Sequence, residues 1–151
     1  RETSREDSAI RYWQEKAEHG VSQLLSYGVN SRSISIETLD YPFEWAESIV
    51  DRFDFAVCLD IGHLLKYGFD VRAMFERYAS RTTIFHLHGV NNGKDHLALD
   101  VLSQNHLEIV SEVLKKFKGV VSLEVFSEEN LLRSSEFLEK TWSEITEPFG
   151  M

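Results

Sequence analysis

Four short apolar segments alternate with amphipathic segments along the chain, and this alternation limits the possible folds more than any other feature. The apolar segments read as strands at 33–37, 55–60, 83–88 and 120–125. Apolar residues at helical spacing predict a leading helix at 8–27 and further helices at 43–53, 71–79, 107–117 and 131–145. Strands that alternate with helices favour an α/β fold in which parallel strands are joined by βαβ units.

Each predicted strand has one apolar face and one small or polar face, because successive side chains point to opposite sides of a sheet. In the second strand, Val57 and Leu59 share one face and Asp60 lies on the other. The polar faces end, at the carboxyl ends of the strands, in Glu37, Asp60, His88 and Glu124. A TIM barrel explains this pattern, since its strands pack outward on helices and carry catalytic residues at their carboxyl ends.

A cluster of metal-ligand side chains follows the third strand in the sequence FHLHGVNNGKDHLALD, residues 85–100. His63 comes three residues after Asp60, and it can reach the strand ends from a loop, as can Asp95 and His96. Carboxylate and imidazole ligands together suit Zn²⁺, Mn²⁺ or Fe²⁺ and not a thiolate site. The alternative for any one of these residues is an ordinary structural role, but four strand ends with the same pattern favour a metal site.

Composition and charge narrow the functional class. The chain has 151 residues, 42% of them hydrophobic, which is typical of a single folded domain over 1–151. A net charge of −9 argues against a nucleic-acid partner, and no apolar run reaches the roughly 20 residues of a membrane span. The single cysteine, Cys58, and an amino-terminal stretch without signal-peptide character predict a cytoplasmic protein.

Several segments together resemble a known superfamily of TIM barrels. SIETLDYPFEW, VCLDIGHLLKYG, HLHGVNNGKDH and VVSLEV are similar to the last four strand-end motifs of the xylose-isomerase-like superfamily, which includes sugar isomerases, epimerases and abasic-site endonucleases. Within it, the chain most resembles the cobamide-remodelling phosphodiesterases. Eight βα units typically need about 250 residues. The resemblance therefore implies only the carboxyl-terminal half of the barrel, about four βα units plus a leading helix.

The resemblance also implies roles for individual residues. It gives catalytic roles to Glu37, Asp60 and Glu124, and it gives metal-ligand roles to Glu37, Asp60, His63, His88, Asp95, His96 and Glu124. Asp95 and His96 would correspond to an endonuclease-type Asp-x-His pair, although here the two residues are adjacent. His86 lies two residues before the expected ligand His88. It would orient a metal ligand and would not itself bind the metal. The expected cofactor is a divalent transition metal. Zinc is the first candidate, and manganese and iron are the alternatives.

Three functions remain open from the sequence. In a phosphodiesterase that hydrolyses the nucleotide loop of cobamides, two or three metals would need the additional ligands His63, Asp95 and His96. In a sugar or sugar-phosphate isomerase or epimerase, one metal would suffice and Glu37 and Glu124 would move protons. The third alternative is a non-catalytic, metal-stabilised half-barrel. The surplus of ligands favours the phosphodiesterase, and the resemblance implies a small-molecule substrate, a corrinoid.

A half-barrel has consequences for association. Its sheet has two open edges, and unpaired strand edges readily pair with another chain. The sequence therefore predicts either a homodimer or association with the amino-terminal half of the barrel.

Overall fold

The computed structural model describes residues 5–146, and it describes side chains over residues 7–141. Helices in this part of the chain are α1 (Arg5–Ser26), α2 (Glu44–Phe53), α3 (Ile61–Tyr67), α4 (Val71–Tyr78), α5 (Gln104–Lys116) and α6 (Glu128–Thr146). Strands are β1 (Ser35–Glu37), β2 (Ala56–Asp60), β3 (Thr82–Leu87), β4 (Gly89–Asn91), β5 (Lys94–Leu97) and β6 (Val120–Leu123). Short 3₁₀ turns lie at Ser31–Ser33 and Leu99–Val101.

The main sheet is parallel and contains the four strands that the sequence predicts. Its strand order is β1-β2-β3-β6, and each neighbouring pair runs in the same direction. Helices α2, α4 and α5 follow successive strands and return the chain to the start of the next one. The predicted α/β class and the partial-barrel architecture are therefore confirmed.

The two faces of this sheet differ as the alternation of residues predicts. On the outer face, Val57, Leu59 and Phe85 have no measurable exposure and pack into the hydrophobic core. The ring of Phe117, which directly follows α5, stacks on Phe85 with the ring centres 3.8 Å apart. On the inner face, Asp60 lies beside its register partner His86. Burial of the outer face thus fixes which side chains point inward.

Two elements at the carboxyl ends of the strands are not predicted from the sequence. Helix α3 begins immediately after Asp60, whose carboxylate accepts a hydrogen bond from the backbone N–H of His63 at 2.8 Å. Strands β4 and β5 form an antiparallel hairpin whose turn contains Asn92 and Gly93, both with positive φ. This Asn-Gly turn is the preferred connection of a tight hairpin, since both positions tolerate a left-handed backbone.

Both outer strands of the main sheet are open edges among the described residues. β1 pairs only with β2, and β6 pairs only with β3. Val120 on β6 is 63% exposed, so an apolar side chain lies at one of these edges. Within the described part of the chain, no helix is long and apolar enough to cross a membrane.

We expect the 151-residue chain by itself to associate in solution through these edges. Val120→Lys should reduce association, because a charge on an edge strand opposes pairing with another strand. Tyr27→Lys is the matched control, since Tyr27 is 86% exposed and lies outside the sheet. Light scattering after size exclusion measures the mass. A stable monomer of 17.5 kDa for the unchanged chain would contradict the expectation.

Candidate metal centre

Three carboxylates and one imidazole meet at the carboxyl ends of the main sheet. We define the carboxylate group as Glu37, Asp60, His86 and Glu124, each of which offers one ligand atom within 4.8 Å of the others. His86 lies centrally in it. Its Nδ1 atom is 2.7 Å from Glu37, 3.3 Å from Glu124 and 4.0 Å from Asp60. One nitrogen and three oxygen ligands form a set that suits zinc, manganese or iron.

A second group beside the first consists of three imidazoles. We define the histidine group as His63, His88 and His96, whose ligand nitrogens also lie within 4.8 Å of one another. His63 comes from α3, His96 comes from β5, and His88 directly follows β3. The two elements that the sequence does not predict therefore supply two of its three members.

Asp60 connects the two groups. Its side chain has no exposed surface, its Oδ2 atom is 3.0 Å from Nδ1 of His63, and its Oδ1 atom is 3.1 Å from Nε2 of His88. Two further contacts fix its backbone and carboxylate. The Asp60 N–H donates to the Thr38 hydroxyl at 2.9 Å, and Oδ1 accepts from the His63 N–H. Asp60 is thus held in one orientation between both groups.

Several buried ligand atoms have no hydrogen-bond partner among the described residues. They are Asp60 Oδ2, Glu124 Oε2, His63 Nδ1 and His88 Nε2. Buried polar atoms normally have a partner, because leaving one unsatisfied costs roughly 1–3 kcal/mol. Asp60 Oδ2 lies 3.0 Å from His63 Nδ1, His88 Nε2 lies 3.1 Å from Asp60 Oδ1, and Glu124 Oε2 lies 3.3 Å from His86 Nδ1. These pairs of atoms are within ion-pair range but lack the geometry of hydrogen bonds. This arrangement fits residues that hold a metal ion.

Electrostatics favour the charged form of the central carboxylate. Burial alone would raise the pKa of Asp60, but the His88 ring and the backbone N–H of His63 outweigh burial and lower that pKa. Burial alone would lower the pKa of His88, but Asp60 outweighs it, so the pKa of His88 is raised. Each partner thus stabilises the charged form of the other.

Cys58 also lies near Glu37 and His86, with a ligand atom in the same range. Burial raises the pKa of the Cys58 thiol to about 12, with further contributions from Glu37, Asp60 and Glu124. Without a bound metal, the thiol is therefore protonated at neutral pH. Cys58 is buried next to the carboxylate group.

The positions of His86 and His88 differ from the expectation. The sequence places His88 with Glu37, Asp60 and Glu124, and places His86 behind the ligands, whereas the structure puts His86 in the carboxylate group. The reason is that β3 ends at Leu87, so His86 is its last inward-facing residue. His88 lies beyond the strand, is 1% exposed, and accepts a hydrogen bond from the His96 N–H at 3.1 Å.

Asp95 lies at the edge of the site. Its Oδ2 atom is 2.5 Å from Nζ of Lys66 and 3.6 Å from Nε2 of His63. The hydrogen bond from Lys66 is the main cause that lowers the pKa of Asp95. Among the described residues, Asp95 belongs to neither group of convergent ligand atoms. The structure therefore brings together six of the seven expected ligands, adds His86, and places Asp95 beside them as the partner of Lys66.

Comparison with known proteins supports the fold but does not identify a family. No protein-family model and no curated protein matches the sequence. A similar solved structure is the 1.8 Å crystal structure of IolI protein with a binding zinc atom, with a TM-score of 0.52 and 20% sequence identity. The match covers 97% of this chain and 57% of the IolI chain. The fold is thus that of part of a TIM barrel.

Gly62 offers a test of how the histidine group is packed. A β-carbon at position 62 would lie 2.2–2.4 Å from three atoms of the buried His88 ring. We expect Gly62→Ala to lower the free energy of unfolding by about 1–3 kcal/mol through overpacking. Urea denaturation of the full-length protein measures this change.

Gly20→Ala in α1 is the matched control for Gly62→Ala. Both glycines are helical, but nothing lies within 4 Å of a β-carbon at position 20. This control should raise stability by about 0.5–1 kcal/mol, since alanine is the better helix former. A Gly62→Ala protein as stable as the wild type would contradict the described packing of His88.

Proposed function

We propose that the full-length protein is a metal-dependent phosphodiesterase whose metal ions are held by the carboxylate group and the histidine group. The observation that supports this proposal is the position of Asp60, whose two oxygens face both groups. Two-metal hydrolases hold their ions about 3.5–4 Å apart, so one carboxylate can serve both. A site that binds a single metal has less use for three additional imidazoles.

The metals would supply Lewis acidity toward the phosphate oxygens and would lower the pKa of a coordinated water. The chain's own residues determine where this happens. Glu37 on β1, His86 on β3 and Glu124 directly after β6 would hold one side of the site. His63 and His96 hold the other side from α3 and β5. Lys66 lies next to the histidine group, where its ammonium group pairs with Asp95, and it would donate to a phosphate oxygen only by exchanging that partner.

The substrate proposal is narrower and rests on the sequence motifs. SIETLDYPFEW and GKDHLALD resemble segments of cobamide-remodelling phosphodiesterases. We therefore propose the nucleotide-loop phosphodiester of a cobamide as the substrate, with zinc as the first candidate metal. The chain spans 57% of the length of IolI. In a complete barrel, the remaining strands would contribute further residues to the substrate pocket.

A sugar isomerase or epimerase is the second candidate, and two observations favour it. The solved IolI structure contains a zinc atom. In this chain, Glu37 and Glu124 both lie within 3.3 Å of His86 Nδ1, so two carboxylates accompany one metal group. Two carboxylates beside a single metal are enough to move a proton between neighbouring carbons. The number of metals bound therefore separates the two candidates.

We expect the full-length protein to bind at least two divalent metals per chain. His96→Asn should remove one of them, because it deletes a ligand of the histidine group and leaves the carboxylate group intact. His19→Asn is the matched control, since His19 is exposed on α1 and should not affect metal content. Elemental analysis after gel filtration measures the content. One metal per chain in the wild type would favour the isomerase.

Turnover tests the chemistry directly. Glu124→Gln removes one charge at little steric cost, and we expect kcat to fall by about 10³-fold with a much smaller change in KM. The assay incubates the full-length enzyme with cobalamin and separates the corrinoid products by chromatography. Intact cobalamin together with epimerisation of a ketose or ketose phosphate would replace the phosphodiesterase by the isomerase.

A further inference from the structure

An exposed aromatic ring lies directly beside the candidate metal centre. Phe126 is the second residue after Glu124, in the loop between β6 and α6, and its side chain is 78% exposed. An exposed phenylalanine leaves apolar surface in water at a cost of about 25 cal/mol per Å². Phe126 therefore presents apolar surface to solvent next to the site residue Glu124.

The ring of Phe126 is held in place by the histidine group. Its centre is 4.3 Å from that of His96, and the two planes differ by 31°. His96 is itself fixed, because its Nδ1 atom lies 3.0 Å from the backbone oxygen of Glu124 and its N–H donates to His88. One face of the phenyl ring therefore covers His96, and the remaining surface is open to solvent at the edge of the site.

Phe126 is one end of a run of rings along this edge. The His96 ring is 5.3 Å from that of His63, and His63 is 6.1 Å from the ring of Tyr67, which is 45% exposed. The ammonium group of Lys66 lies 5.2 Å from the centre of the Tyr67 ring. The edge of the site thus combines flat apolar surfaces with an ammonium group that is paired with Asp95. Flat apolar surfaces suit a flat ring, whereas a polyol needs polar side chains that form hydrogen bonds.

We propose that Phe126 stacks on a planar heteroaromatic ring of the substrate, such as a nucleoside base attached to the phosphodiester. The inference rests on the proposed phosphodiesterase activity for the position of the phosphate, and it adds the residue that would contact the base next to it. Stacking of bases on aromatic side chains is favourable for every base, because each base presents a π-face. Phe126 is therefore a specificity-determining residue and takes no part in the bond-breaking step.

The test compares two chromogenic diesters with the same leaving group. Thymidine 5′-(4-nitrophenyl) phosphate carries a base, and methyl 4-nitrophenyl phosphate does not. We expect the metal-loaded full-length protein to prefer the thymidine ester in kcat/KM. Phe126→Ala should lower this preference by roughly tenfold, which corresponds to the loss of one stacked base. Phe126→Trp should retain the preference, and Tyr27→Ala, which removes an exposed ring outside the site, should leave it unchanged.

Three outcomes would overturn the inference. A parallel loss of activity on both esters in Phe126→Ala would show that the ring packs against protein and does not read the substrate. A wild-type preference in Phe126→Leu would show that apolar bulk, and not an aromatic face, is what matters. No preference for the thymidine ester in the wild type would remove the basis of the proposal.

Failure of the proposed function gives a different result. If the metal-loaded wild type hydrolyses neither ester, the phosphodiesterase proposal fails, and calorimetry with thymidine 5′-monophosphate and methyl phosphate then decides the role of Phe126. Tighter binding of the nucleotide that is lost in Phe126→Ala would uphold stacking. Equal affinities of the two phosphates for the wild type would overturn it.

Discussion

The buried carboxylate of Asp60 is the interaction on which the rest of the site depends. A carboxylate with no exposed surface is costly unless charges and hydrogen bonds compensate it, by several kcal/mol per ion. The groups that compensate this charge lie on separate elements of the fold. The backbone N–H of His63, in the first turn of α3, donates to the Asp60 carboxylate, and the His88 ring, directly after β3, lies 3.1 Å from it. Satisfying one buried charge therefore positions two segments around it, and the Thr38 hydroxyl, directly after β1, accepts from the backbone N–H of the same residue.

The same requirement accounts for the two groups of ligands lying side by side. Asp60 ends β2 on the inner face, so it belongs to the carboxylate group together with its register partner His86. It also caps α3, and that cap places His63 one turn along the helix, 3.0 Å from Oδ2. One residue thus serves as strand end, helix cap and shared ligand candidate. Because Asp60 contacts both groups, they form one site, as the proposed phosphodiesterase requires, and are not two unrelated clusters.

Much of this arrangement follows from the sequence, because alternation along a strand is a local property. The outer face that contains Val57 and Phe85 and the inner position of Asp60 both follow from a period of two once the strands are recognised. The exchange of His86 and His88 does not follow, because it depends on the residue at which β3 stops pairing. Beyond the strand, the His88 ring packs against Gly62, where a β-carbon would lie 2.2–2.4 Å from three of its atoms. Alternation alone carries no information about that contact.

The sequence contains residues that favour the hairpin and α3. The same residues, or their neighbours, also suggest a metal site. Asn92 and Gly93 favour a hairpin turn, but they lie between His88 and Asp95, which the sequence predicts to be metal ligands. Asp60 is both a good helix cap and a good ligand, so its presence alone does not reveal α3. Asp95 shows the opposite problem. Its sequence neighbourhood suggests a ligand, but Lys66, one turn of helix after His63, pairs with it in space.

Exposure differs among the members of the carboxylate group. Glu37 and Glu124 are about one-third exposed, at 32% and 33%, whereas Asp60 is fully buried. Water therefore screens part of the repulsion between the two outer carboxylates, but it does not reach Asp60. A cation between the three carboxylates would offset the repulsion that water leaves unscreened, so binding of a metal should stabilise this end of the sheet.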